Sequence, residues 1–449
     1  MQQVSPEDAR AVFPQGDAPT QIEPRLWRLP LPLPFALRAV NVYLLGDEAS
    51  HWTLVDAGLG LPADEAALRA GLAVAGVALE QISSFVLTHA HPDHIGMARM
   101  IQATSGAPIY MLADEIDILY TAWGAGNEAV ADRLQAMYLA NGLDTGAPEI
   151  MRIQGGAPSA TGANGATGPG ANGIIGEAAR TPSGASSPVG EVPADGAGSV
   201  ARAGRNRRWV FPLPPRETFR PLTDGQELRL GGWTYRAIWT PGHSDHHLCL
   251  LRADGLLIVG DHVLPSITPN IGLYPNARVN PLRDYLWALE RVKALPVRLA
   301  LPGHGLPFAA LAERAEAIRL HHAERSATLL ALLAAHSDGA DGATLARALF
   351  GARLRTVEDH RFALAETLAH LEYLRYDGKV CRERRSELGP DDTSTAGNAD
   401  VATDGSASKR QAGHERIIYR VAEAGDPIAD ERDEVSFGAT PTPTPLSLD

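Results

Sequence analysis

Between residues 88 and 97 the chain reads THAHPDHIGM, which puts His89, His91, Asp93 and His94 inside six positions directly after the apolar run SSFVL. Groups crowded this closely conflict when they carry like charge, and a divalent cation resolves the conflict by binding their deprotonated forms. His89 and His91 stand two apart at a strand end, so their side chains leave on one side and can share one metal. Pro92 turns the chain, and Asp93 and His94 open the next helix, aimed at the other side of the same mouth. That geometry can serve a second metal close to the first, as two-metal hydrolysis requires. Further ligand types recur wherever an apolar strand ends: His243 in TPGHSDHH, Asp261 in VGDHV and His304 in LPGHG. Nitrogen and oxygen donors without thiolate suit zinc, iron or manganese.

The elements that must position these residues alternate. RLWRLPL, NVYLLG and WTLVDAG read as short strands broken by Pro, Gly and Asp, and the last delivers Asp56 to its tip. A helix is expected over 63–76, then the strand SSFVLTH, then a helix from about His94 to Thr104 closed by Gly106. Strand, helix, strand, helix is an α/β signature. Residues 113–142 are helical in character and read as a packed helix pair or a cap over a groove. Strands return over 222–251 around a DG and a GG turn, in GLLIVGDHVL and, after a helix at PLRDYLWALERVKAL, in VRLALPGHG. Three helices beyond residue 311, the strand GKVCRER and the strand ERIIYRVA match a winged-helix domain.

Composition sets limits. Of 449 residues 45% are apolar, ample for a large core, and the net charge of −13 argues against a protein that lives on nucleic acid or anionic membrane. Only Cys249 and Cys381 occur, too few for a disulfide framework, and both read as buried, inert thiols. The first residues lack a basic stretch followed by an apolar one, and nowhere do about 18 apolar residues run together, so a cytoplasmic location is expected. Residues 155–208 and 387–413 collapse into Gly, Ala, Ser, Pro and Asn or short polar runs, which bury too little apolar surface to order; they read as a disordered insertion and a disordered wing loop. The boundaries that follow are a catalytic domain over 20–310, a winged-helix domain over 311–423 and a flexible tail over 424–449.

The set His89-Ala-His91-Pro-Asp93-His94, His243, Asp261 and His304, together with the DAG at 56–58, resembles the metallo-β-lactamase fold superfamily over roughly residues 20 to 310. The resemblance implies an αββα sandwich with the metals at one edge. It implies that His89, His91 and His243 hold a first divalent cation, that Asp93, His94 and His304 hold a second, and that Asp261 bridges the two. Zinc is the foremost expectation, with iron or manganese as alternatives, and Asp56 braces the ligand loop. His247, His321 and Arg325 match positions in members that carry a C-terminal winged helix. His321 and Arg325 read as domain-interface residues, and His246, His247 and His262 as residues that orient a ligand or merely pack.

A water shared by two divalent cations becomes a hydroxide near neutral pH and can attack a carbonyl or phosphoryl centre, with Asp93 orienting it and shuttling its proton. Asp261 stands where zinc β-lactamases place a cysteine, which argues against lactam hydrolysis. The chain is similar to glyoxalase II and related thioesterases, so a small thioester or related acyl substrate is expected, its thiol carrier left open. Two alternatives stand: a single-strand endoribonuclease-like hydrolase and a mononuclear iron dioxygenase acting on a persulfide. Duplex DNA is disfavoured because the third helix of the added domain carries Glu358, Asp359, Glu366 and Glu372 against Arg361 and Arg375. That domain is read as a lid or a homodimer surface.

Overall fold

The structure, a computed structural model, describes residues 17–34, 37–48, 51–124, 128–144, 201–203, 208–386 and 415–429. The chain lays down β1 (Thr20–Glu23), β2 (Leu26–Pro32), β3 (Ala39–Gly46) and β4 (Trp52–Val55), then α1 (Pro62–Val74), β5 (Ile82–Val86), α2 (Pro92–Ile95) and α3 (Ala98–Ser105). β6 (Ile109–Leu112), α4 (Ala113–Trp123), α5 (Glu128–Ala140), a ribbon of β7 (Ala201–Ala203) and β8 (Arg208–Val210), and β9 (Phe219–Leu222) follow. A second run comprises β10 (Glu227–Leu230), β11 (Trp233–Trp239), β12 (Leu248–Arg252), β13 (Leu256–Gly260), α6 (Pro281–Lys293) and β14 (Leu299–Pro302). β1, β2, β3, β4, β5, β6 and β9 form one sheet in that order, and β10 to β14 form another.

Period-two alternation sorts the apolar side chains into layers. Every residue of β3 and β13 is buried, which requires cover on both faces of each sheet. Tyr43, Leu45, Val55 and Val86 of the first sheet meet Tyr235, Leu248, Leu250 and Ile258 of the second in one core. Their neighbours Val42, Leu44, Leu54 and Phe85 face the other way, onto Leu68, Leu72 and Ile101 of α1 and α3. On the far side Cys249, Leu257 and Val259 pack on Leu282, Tyr285 and Leu289 of α6 and on Ile318. The layers are therefore αββα, as the sequence led us to expect. A slip of one residue in β3 would send Tyr43 and Leu45 into the wrong layer, so register is tightly fixed.

The helix expected over His94–Thr104 is instead two, α2 and α3, broken at Gly96 and Met97. Gly96 lies flat against the Leu59–Gly60 backbone, where a Cβ would overlap Leu59, and its N–H donates to Gly58 O at 2.7 Å. That contact docks the histidine-bearing turn onto the loop after β4. Gly106 closes α3 at φ 70°, the left-handed cap the sequence indicates.

After β14 come α7 (Leu311–Ala334), α8 (Gly342–Phe350), α9 (Val357–Tyr376) and the antiparallel pair β15 (Val380–Ser386) and β16 (Glu415–Val421). Their core joins Leu333, Leu345, Leu364, Leu368 and Tyr419 with Tyr138 of α5, so α5 belongs to this packing unit rather than to the surface of the sandwich. The acids of α9 differ from the expectation in direction. Asp359, Glu366 and Glu372 are buried: Asp359 caps its own helix, Glu366 meets Arg325, and Glu372 accepts from Arg375 at 2.6 Å, Arg382 at 3.0 Å and Tyr419 at 3.1 Å. Glu366 and Glu372 are paired with arginines in the interior, and of the four acids only Glu358, beside Arg361, is exposed.

Residues 155–200 and 204–207 of the expected insertion, the whole expected wing loop 387–413, and residues 430–449 of the tail lie outside the described residues. Cys249 is buried, whereas Cys381 on the exposed hairpin is only half-buried. Among the described residues no helix is long and apolar enough to cross a membrane.

Candidate metal centre

β4 and β5 are parallel neighbours, as are β13 and β14, and β11 runs the same way as β13 because each is antiparallel to β12. Their C-terminal ends therefore share one edge of the sandwich. Asp56 leaves β4 there, His89 and His91 follow β5, Asp93 and His94 lie on α2, His243 follows β11, Asp261 follows β13 and His304 follows β14. All seven expected ligand residues converge. His89, His91 and His243 offer ligand atoms within 4.8 Å of one another, and so do Asp93, His94 and His304; His89, His94 and Asp261 form a third such group that overlaps both.

Hydrogen bonds decide which nitrogen each ring presents. Asp56 accepts from Thr88 N at 2.8 Å and from Thr88 Oγ1, which spends that hydroxyl proton. Thr88 Oγ1 must then accept from His89 Nδ1–H at 3.0 Å, leaving His89 Nε2 bare and facing His91 Nδ1 at 3.0 Å. The other Asp56 oxygen accepts from His94 Nδ1 at 2.8 Å, so His94 turns Nε2 inward. His304 Nδ1 donates to Ala39 O at 2.8 Å and His243 Nδ1 to Asn270 O at 3.0 Å, which again frees Nε2. Asp261 Oδ2 lies 3.5 Å from both His94 Nε2 and His243 Nε2 and 3.2 Å from His304 Nε2.

Buried polar atoms normally find partners, yet His94 Nε2, His243 Nε2 and Asp261 Oδ1 have no hydrogen-bond partner. Three bare donors converging on one space are what a cation would satisfy, so these residues fit the divalent metal ions the fold implies. Charge agrees. Burial, reinforced by the neighbouring rings, holds His89 well below its ordinary range and takes His91 down to about 3, so both rings are neutral. Burial also opposes charge on His94 and His304, but Asp261 and its fellow carboxylates outweigh it, holding His94 well above its ordinary value and His304 at about 10. Burial would raise Asp93 and Asp261, and the adjacent histidines instead hold both below the usual carboxylate range. Protons on His94 and His304 stand where positive charge is wanted.

Further residues surround the centre, and the first of them is not visible as a motif. Glu115 of α4 is fully buried and accepts from Ala90 N at 2.8 Å, from His246 N at 3.1 Å and from Ser244 Oγ, clamping the His89–His91 turn to the His243 loop. Burial, partly offset by these donors, raises its pKa. Its place four residues before Leu119, on the apolar stripe of a helix, is the signal that could have found it. His247 Nε2 accepts from Asp261 N at 3.1 Å while its Nδ1 meets Thr240 Oγ1 at 2.8 Å, so it orients the loop that carries Asp261. His262 is buried against the Tyr285 ring with both nitrogens unpaired. Cys249 is no nucleophile: burial pushes its thiol up to about 12.

With this geometry established, the model of the metallo-beta-lactamase superfamily matches residues 36–304, and that of the metallo-beta-lactamase-like C-terminal domain matches residues 329–389. The chain belongs to the metallo-beta-lactamase superfamily. Among solved structures, a metallo-beta-lactamase family protein from Thermus thermophilus is 31% identical, with a TM-score of 0.61 over 81% of this chain and 97% of the other. A beta-lactamase domain protein from Burkholderia ambifaria is 25% identical, with a TM-score of 0.62 over 91% and 98%. Among curated relatives, an atrochrysone carboxyl ACP thioesterase from Aspergillus fumigatus is 32% identical over 22% of this chain and 30% of its own length. A lactamase-like protein from Trichophyton rubrum is 30% identical over 35% and 47%. The chain thus spans about a third to a half of the length of these curated relatives. The region matched to the superfamily ends on His304, the last of the seven convergent residues.

Proposed function

We propose that this protein is a metal-dependent hydrolase of thioesters or related small acyl compounds, with two divalent cations, zinc foremost. His89, His91 and His243 would hold one cation, Asp93, His94 and His304 the other, and Asp261 would serve both. The observation that carries this reading is the position of Asp261 Oδ2, equally 3.5 Å from a bare nitrogen of each trio. When bound, such cations supply Lewis acidity and lower the proton affinity of water.

The protein's own groups do the rest. Asp93 is half-buried at the mouth, its Oδ2 3.3 Å from His304 Nε2, and it is held ionised. It is the carboxylate placed to take a proton from an attacking water and return it to a leaving thiolate. Thr88 and Asp56 keep His89 and His94 in one tautomer throughout, so no ring has to reorient during turnover. The thioester assignment draws support from the curated relative named as an acyl-carrier-protein thioesterase and from the absence of a suitably activated side-chain nucleophile among the described residues near the ligands.

The C-terminal helices and hairpin are read as a winged-helix domain that packs on α5. The deciding experiment offers reconstituted protein acyl-coenzyme A, acyl-glutathione, an acyl-carrier-protein thioester, a β-lactam and single-stranded RNA. Chelator-sensitive turnover of at least one thioester is expected, lost in Asp261→Ala. Cleavage of RNA with a steep salt dependence and no thioester turnover would replace this reading.

A further inference from the structure

His243 sits in the loop between β11 and β12, and what holds its Nδ1 is a backbone carbonyl, Asn270 O, at 3.0 Å. Asn270 lies in the connection from β13 to α6, which has no helix or strand over 262–280 and therefore takes its rigidity from its surroundings. Those surroundings include α9 of the C-terminal region and Arg314 of α7, whose guanidinium donates to Leu264 O and Ile267 O at 2.7 Å. Asn270 Nδ2 donates to Glu366 Oε2 at 3.1 Å, and three residues on Leu273 N donates to Ala365 O at 3.0 Å. The second oxygen of Glu366 is taken by Arg325 of α7, and both charged side chains are buried.

A buried ion pair in this position is poor evidence for stability, since taking two charges out of water offsets most of their attraction. It does fix direction. With Oε1 held by Arg325, Glu366 presents Oε2 to the β13–α6 connection, and Asn270 presents its carbonyl to His243 with its side chain anchored there. Hydrogen bonding to the nitrogen that does not face the metal sets the tautomer and aim of a ligating histidine. We infer that the C-terminal region is a working part of the metal centre: Arg325, Glu366 and Asn270 form a positioning relay that fixes His243. This rests on the reading of the histidine and aspartate cluster as a metal site.

The test uses full-length protein, stripped of metal and titrated with Zn2+ against a competing chelator. Asn270→Ala removes the anchor but keeps the carbonyl, so it folds and is expected to weaken one equivalent by on the order of 10-fold while leaving the other unchanged. Glu366→Gln should retain most of the wild-type affinity, because Asn270 can turn its amide to accept from the new side chain. Leu345→Ala, which opens the apolar core of the C-terminal region and leaves the three relay side chains in place, should lower thermal stability and leave both equivalents intact. Wild-type affinity in Asn270→Ala, or an equal loss of the same equivalent in Leu345→Ala, would overturn the relay. Uptake of less than one equivalent by the wild-type chain would instead overturn the metal-site reading itself.

Discussion

Asp56→Asn is the sharpest test of how the centre is built, because it changes a proton and no volume. Asp56 accepts from Thr88 N at 2.8 Å through one oxygen and from His94 Nδ1 at 2.8 Å through the other. An asparagine must put its NH2 on one of these donors. Placed against Thr88 N–H, it leaves two buried donors facing each other, at about 1–3 kcal/mol. Placed against His94, it forces the ring to present a lone pair at Nδ1, which moves the proton to Nε2, the atom that must stay bare for a cation. Either outcome disturbs the partner of a ligand, and such changes lower metal affinity about 10- to 100-fold. Asparagine tolerates the positive φ of 65° at this position, so the fold should survive. Chelator competition on the folded variant reads the effect. Two equivalents held at wild-type affinity would refute the argument that Asp56 sets the His94 tautomer.

Four further outcomes follow from the same geometry. In Gly303→Ala the new Cβ would overlap Asp261 Oδ1 and stand 2.9 Å from His94 Cε1, so the variant should fold with a loss of about 1–3 kcal/mol but bind metal at least 10-fold more weakly; unchanged metal content by elemental analysis would show that Asp261 need not sit where it does. Because His94 is raised and His304 lies at about 10, both rings are protonated near neutral pH in metal-free protein, so calorimetry in buffers of different ionisation heat should show proton release on metal uptake, with affinity falling as pH drops below that value. The same raised values stabilise the metal-free fold fully below the ordinary histidine range and lose that contribution as pH rises toward 10, a trend that thermal denaturation in chelator would reverse only if these rings were neutral. Glu115→Ala strands two buried backbone donors and the Ser244 hydroxyl and should cost about 3–6 kcal/mol, with Glu115→Gln losing less; a chemical-denaturation difference under about 1 kcal/mol for the alanine would mean that water replaces the clamp.

The sequence exposed the convergent histidines and aspartates because each stands where an apolar run stops, and a strand end in a covered sheet is the one place where buried backbone meets an open edge. His243, Asp261 and His304 are legible for that reason although they lie more than a hundred residues from His89. Glu115, Asn270 and Glu366 are not legible, since each acts through a contact across the chain that no local spacing encodes. The same limit explains two differences. The turn at Gly96 is set by the Leu59–Gly60 backbone, invisible to any window around His94, so helical periodicity runs straight through it. The acids of α9 look solvent-facing by charge, but Asp359, Ala363, Glu366 and His370 follow a three- and four-residue stripe along one buried face, where Arg325 and His322 wait on α7.

That stripe bears on why the C-terminal region is attached at all. An ordinary core would place apolar residues along it, and volume-matched apolar replacement of a buried ion pair is often neutral or stabilising. Here Glu366 faces the connection that carries Asn270 and His370 faces His322, whereas the apolar members of α9, Leu364, Leu368 and Leu371, pack with Leu333 and Leu345. Local choices that work against packing are expected where function requires them, and a helix that only covered the sandwich would have no use for this one. The ligands of one sheet edge are thus braced from two directions: Asp56 and Thr88 from beneath the first sheet's loops, and Glu366 with Arg325 from outside the sandwich. A variant that uncoupled the second brace should spare His94 and His304, whose Nδ1 partners, Asp56 and Ala39, both belong to the first sheet.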